Sequence, residues 1–190
     1  MRVGRPRSEA SRDAILQAAF ELLRERPFTD FAIDVVARRA GVGKATIYRW
    51  WPSHGELAVD AFFAHTVEAL RFPSVGTARE NFIEQVLQLR ALLAGPTGAA
   101  LWAMISGARS DPTLGRALVE RWVLPRKRWG EERIARAIAE GECAPKLDVD
   151  AALDLLYGPL YARLMMRGEA PTERETRACL ELAASAIFRR

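Results

Sequence analysis

The residues best suited to chemistry lie between Ile33 and Leu57, in the run IDVVARRAGVGKATIYRWWPSHGEL. Lys44 and Arg49 supply cations there, Thr46 a hydroxyl, Tyr48 a phenol, Ala45 a small apolar contact and Trp50 an indole. Such a mix serves phosphate oxygens and base edges together. His54 adds a ring whose charge depends on pH. A second basic group stands ahead of residue 13, where Arg2, Arg5, Arg7 and Arg12 accompany a single acid, Glu9. Gly4 and Pro6 disfavour helix, which leaves Arg5 and Arg7 on an extended arm able to enter a minor groove. A solvated tail has the same composition, so both readings of the arm stay open.

Catalytic readings find less support. His54 and His65 sit in no nucleophile or metal motif. Gly43-Lys44 invites comparison with a phosphate-binding loop, but Arg38 stands where that loop needs its first glycine. Ala45 stands where a hydroxyl should hold magnesium. Cys143 and Cys179 lack metal-ligand spacing and are expected to be ordinary thiols of a reducing cytoplasm. Scattered Asp and Glu on helices read as solvated faces, not as an acid–base pair. No catalytic residue, metal site or cofactor is expected. A DNA binder with little sequence preference and no ligand remains the rival, and it would show a steep salt dependence.

The elements that position these side chains follow from periodicity. Ala37, Gly41 and Ile47 have the spacing of a helix-turn-helix. Ala37 is small where a second helix packs over it, and Gly41 supplies the positive φ of a tight turn. Val42 and Ile47 are the inward anchors, which leaves Lys44, Ala45, Thr46, Tyr48, Arg49 and Trp50 outward. A first helix from about Ser8 or Ser11 to Glu25 places Ile15, Ala19, Leu22 and Leu23 on one face, and Arg26-Pro27 ends it. Helices then cover Ile33 to Ala40 and about Lys44 to Trp51. Ser53 and Glu56 have capping-box spacing for a fourth helix, expected to reach about Arg71.

Phe72 to Thr77 breaks the pattern and suggests two domains, residues 1–72 and 78–190. The second is also helical. Ala78 to Ala94 is amphipathic, and Gly98 to Ala108 is apolar enough to predict burial all round. Asp111-Pro112 opens the next helix, Pro125 kinks or divides it, and Gly141 stops it. Asp148 caps a helix to Arg167, and Thr172 with Glu175 caps the last, ending near Phe188. The fold expected is all-α, of about nine helices. The 190 residues are 49% hydrophobic and 27% charged, with a formal net charge of +4, ordinary for a globular protein with an acidic partner. No apolar run approaches the roughly 18 residues of a membrane span, and MRVGRPRSEA carries no secretory h-region, so a cytoplasmic location is expected.

The stretch GVGKATIYRWWPSH resembles the TetR family of transcriptional regulators, in which a Gly-Val-Ser-Lys-Gly-Thr-Leu-Tyr-type run leads into an aromatic-Pro-Ser-Lys turn. The likeness covers residues 8–62 well. It extends more loosely through Gly107 to Gly141 and through DVDAALDLLYGPLY, residues 148–161. The resemblance implies an N-terminal three-helix helix-turn-helix domain that reads double-stranded operator DNA. It implies a C-terminal domain that holds a small ligand and dimerises through its last two helices. With the aromatic and apolar side chains of that domain, the reading is a sequence-specific repressor released by an apolar or aromatic inducer. Three positions depart from the family pattern. Gly43 and Ala32 replace capping side chains at two helix starts, and His54 replaces a frequent lysine. Backbone N–H groups at those helix starts can still meet phosphate.

The family arrangement puts Trp102, Met104, Trp122, Tyr157, Tyr161 and Met165 around an inducer cavity. Plain core filling is the commoner role of each such side chain. Gly158-Pro159 should loosen its helix beside the two tyrosines. On the last helix Ala178, Leu182, Ala183, Ala186 and Ile187 form a face for a homodimer seam or for internal packing.

Overall fold

The computed structural model describes residues 7–73 and 75–189, with side chains from residue 9 onward. Two compact units emerge, and neither is continuous in sequence. The first joins the residues through Thr66 to Ala103–Trp122, and the second joins Val67–Trp102 to the residues from Val123 onward. The break at residues 72–77 thus lies inside the second unit.

In the first unit, α1 (Arg7–Glu25) packs against α2 (Ile33–Ala40) and α4 (His54–Thr66), and α3 (Lys44–Trp50) follows α2. Ile15, Ala19, Leu22 and Leu23 of α1 are all buried, as their spacing requires. A 3₁₀ turn at Phe28–Asp30 joins α1 to α2. Helix α4 stops at Thr66, short of the expected Arg71. Thr66 turns its hydroxyl back onto the Phe62 carbonyl at 2.7 Å, and a 3₁₀ turn at Glu68–Leu70 succeeds it. Only half of the expected Ser53–Glu56 box is seen: Ser53 Oγ accepts from the Glu56 N–H, while the Glu56 carboxylate faces Arg121.

The first unit is completed by α7 (Pro112–Leu118), which packs on α4. Asp111 caps it by accepting from the N–H groups of Thr113 and Leu114. A π-helical stretch at Val119–Val123 follows without a break and leads into α8 (Leu124–Ala139). It lies just upstream of Pro125, whose missing N–H and bulky ring disturb the regular ladder. Counted as one run, α7 to α8 brings the described residues to nine α-helical segments, besides the two 3₁₀ turns.

In the second unit, α5 (Ala78–Leu93) and α9 (Val149–Arg167) both pack on α10 (Glu173–Ile187), and α8 packs on α9. Thr77 with Glu80 and Thr172 with Glu175 form complete capping boxes at α5 and α10. Phe82, Leu89, Leu156, Leu160 and Leu180 fill the core. An isolated antiparallel β-bridge pairs the backbones of Cys143 and Phe188, and neither Cys143 nor Cys179 is in a disulfide. Helix α6 (Pro96–Gly107) is not buried all round: Leu101 and Met104 are covered, but Trp102 and Ile105 are partly exposed. Apolar side chains contribute much of any folded surface, so composition overstated its burial. No helix among the described residues is long and apolar enough to cross a membrane.

Candidate nucleic-acid interface

The turn between α2 and α3 is built from the backbone. Gly41 takes φ 66° and ψ 32°, the left-handed conformation that ends a helix without steric cost to glycine. The Val42 N–H then donates to the Ala37 carbonyl at 3.0 Å, closing the turn. Ala37 and Ile47 are buried, so α3 is held across α2 as expected, while Val42 is only half-buried. Gly43 precedes α3 with extended dihedrals and no side-chain cap, and Ala32 does the same for α2. Their first N–H groups remain available to an anion.

With Ile47 inward, Lys44, Ala45, Tyr48, Arg49 and Trp50 are exposed and Thr46 is partly so. Tyr48 is 51% exposed, a large amount for an aromatic ring. Lys44 is engaged: its Nζ lies 2.8 Å from Asp34 Oδ1, and this hydrogen bond raises its pKa. Phosphate binding by Lys44 therefore exchanges one anionic partner for another. The Trp50 ring lies 6.4 Å from that of Trp51. His54 is also engaged, stacked on Phe28 at 5.6 Å, with Nε2 3.7 Å from the Asp111 carboxylate. Arg5 lies outside the described residues, and so does the side chain of Arg7, whose backbone begins α1.

Sequence reasoning missed the residues that hold the end of α3. Trp51, buried directly after α3, donates its indole N–H to Asp60 Oδ2 at 2.8 Å. Arg121 Nη1 donates to the same oxygen at 2.8 Å, and its Nη2 lies 3.2 Å from Glu56. The Arg12 guanidinium lies 5.9 Å above the Trp51 ring. Gly55 lets α4 approach α7: a Cβ there would meet Leu114 Cα at 3.1 Å. The only local signal was a large aromatic pair, Trp50-Trp51, of which one ring had to face inward.

The six residues expected around a ligand occupy different settings. Met104 and Trp122 belong to the first unit, where Trp122 meets Phe62 edge-on at 4.8 Å. Trp102, Tyr157, Tyr161 and Met165 belong to the second. Tyr157 donates to Gln85 at 2.6 Å, and its burial pushes the phenol pKa well up. Arg126 donates to the Tyr161 oxygen at 2.7 Å. Met165 is half exposed. Helix α9 continues through Pro159, and the gap beside it amounts to about 10 Å³. Among the described residues, no group of three His, Cys, Asp or Glu is placed to hold a metal ion.

This architecture is that of a helix-turn-helix regulator with a separate helical unit, and comparisons with known proteins specify it. Residues 15–61 match the family model described as bacterial regulatory proteins, tetR family. Residues 72–183 match the one described as tetracyclin repressor-like, C-terminal domain. The chain is 32% identical over 166 residues to YdeS of Bacillus subtilis, an HTH-type transcriptional regulator, covering 87% of this chain and 84% of that protein. It is 26% identical over 163 residues to the DNA-binding transcriptional repressor TetR of Mycobacteroides abscessus, covering 85% and 86%. The solved TetR family regulator SCO0332 superposes with a TM-score of 0.83 at 30% identity, covering 93% of this chain and 98% of that one. The chain belongs to the TetR family: it is a DNA-binding transcriptional regulator and not an enzyme.

Proposed function

We propose that the protein is a homodimeric repressor that reads a two-fold operator with α3 in the major groove and leaves it when a small apolar or aromatic ligand binds. The observation that carries the DNA-reading part is the outward face of α3, exposed from Lys44 to Trp50 around a fully buried Ile47. Thr46, Tyr48 and Arg49 are suited to base edges and phosphates, Ala45 to a thymine methyl, and Lys44 to a phosphate after it leaves Asp34. Arg5 and Arg7 would follow the adjacent minor groove, and His54 would lie near the backbone. A cytoplasmic location fits this role.

The dimer is supported by a second face. On α9 the outward positions include Ala151, Leu155, Ala162 and Met166, and on α10 Ala178, Leu182 and Ala186. Met166 is 85% exposed and Leu182 74%. The expected seam on α10 therefore divides: Ala183 and Ile187 turn into the unit's own core. A second copy covers such a small-residue, apolar pair of helices isologously. The name of the Mycobacteroides abscessus relative supports the repressor reading. Residues 1–72 and 78–190 would be the DNA-reading and the ligand-and-dimer portions.

Capture of genomic fragments by the purified protein, followed by footprinting, tests this. Enrichment of an inverted repeat whose half-sites lie about one helical turn apart is expected. Indiscriminate enrichment would instead identify a non-specific DNA binder.

A further inference from the structure

A cleft of about 450 Å³ opens in the second unit, and none of the six residues expected around a ligand lines it. One wall is Trp129, Glu132, Arg133 and Arg136, a stripe along α8 at helical spacing, and the other is Arg71 and Phe72. The lining thus holds three guanidiniums and one carboxylate, that of Glu132. We propose that this cleft binds a small aromatic carboxylate, with the ring against Trp129 and Phe72 and the carboxylate among the arginines.

The base of the cleft is built in advance. The Arg133 side chain is 3% exposed. Its Nε donates to Asn81 at 2.8 Å, and Nη2 lies 3.4 Å from both the Gly76 carbonyl and Glu142 Oε1. Asn81 is itself fixed by its bond to the Val75 carbonyl at 2.7 Å, and Glu142 by the Ala78 N–H at 2.6 Å. Among the described residues Nη1 has no hydrogen-bond partner, and it lies 3.8 Å from the Glu140 carboxylate. A buried guanidinium with an unmade bond favours an approaching anion. Phe72 is braced edge-on by Phe82 at 4.8 Å, so the aromatic wall is also held.

The rim is adjustable. Arg136 is exposed and hydrogen-bonds no side chain among the described residues. Arg71 pairs with Glu68 three residues away, at a position where both are well exposed and the pair is weak. Either can swing onto a carboxylate. A bare inorganic anion would leave Trp129 and Phe72 unused, and a neutral ring would leave the arginines unanswered. The volume suits a ligand of one or two rings.

Isothermal titration of the full-length protein with 2-naphthoate, without DNA, tests the site separately from the DNA-release reading. Saturable binding of one molecule per chain is expected. The neutral 2-naphthamide, and the variants R71Q/R136Q and W129A, should each bind about tenfold more weakly or worse. Arg71 and Arg136 are exposed and Trp129 is half-buried, and far-ultraviolet circular dichroism checks each fold. Absence of saturable naphthoate binding would overturn the proposal, as would equal binding of the amide or of R71Q/R136Q. Inorganic phosphate binding as tightly as naphthoate would overturn the aromatic part of it.

Discussion

The Trp51 indole donates to Asp60 at 2.8 Å, and this bond ties the residue that ends α3 to the middle of α4. Arg121 donates to the same carboxylate oxygen, so the clamp extends to the helical run after α7. Asp60→Ala should leave a buried indole N–H without its acceptor and cost about 1–3 kcal/mol in urea unfolding. Operator affinity should fall as well, because the end of α3 is no longer fixed. Asp60→Asn keeps an acceptor for Trp51 and should restore most of the affinity. Equal loss in both variants would place the effect in Arg121 and not in Trp51.

Two glycines of the first unit should fail for different reasons. A Cβ at Gly41 meets nothing within 4 Å, so Gly41→Ala costs only the left-handed backbone, about 1–2 kcal/mol. At Gly55 the backbone conformation is ordinary, but a Cβ would press on Leu114 backbone at 3.1 Å. Gly55→Ala should cost about 1–3 kcal/mol through overpacking. Combining Gly55→Ala with Leu114→Ala should not relieve the clash, because the nearest atom is Leu114 Cα. Chemical denaturation of the three variants checks this.

Much of this scaffold was legible in the chain itself. Gly41, Ala37 and Ile47 act over a few residues, and local spacing is enough to read such positions. The Thr172–Glu175 box was read in the same way, and the Thr77–Glu80 box carried the same spacing unread. What stayed hidden depends on residues far apart in sequence. Arg121 and Asp60 are 61 positions apart, and nothing local to either indicates the other. Lys44 looked like a free cation because its partner, Asp34, lies on the preceding helix. The two units were hidden for a similar reason: the segment from Ala103 to Trp122 returns to pack with the N-terminal helices.

Acid should expose the cap of α10. Glu175 accepts from the Thr172 N–H and hydroxyl and pairs with Arg163, and these bonds lower its carboxyl from its ordinary 4.5 to about 2. Because the folded value is depressed, its stabilising contribution is complete above about pH 4.5 and disappears as pH falls toward about 2. Glu175→Gln should therefore lower the Tm at neutral pH, and the gap to wild type should narrow through that acid window. A gap unchanged down to the lower end would contradict the assigned bonds.

The outward face of α10 should be needed for dimerisation. In an isologous seam a charge at Leu182 meets its own copy or a close neighbour of it. Leu182→Glu should convert the dimer to a monomer in light scattering without unfolding it, since Leu182 is 74% exposed in the single chain. An unchanged dimer would remove this face from the interface.

Reading of DNA by α3 is the central claim, and fluorescence anisotropy at fixed physiological salt tests it most directly. The full-length protein would be titrated with its captured operator and with a scrambled duplex of equal length and composition. The wild type should prefer the operator by about 10³-fold or more, and Arg49→Ala should lose about tenfold or more on the operator with little change on the scrambled duplex. Equal affinity for both duplexes, or an Arg49→Ala protein that discriminates as well as the wild type, would contradict the assignment of α3 as the reading helix.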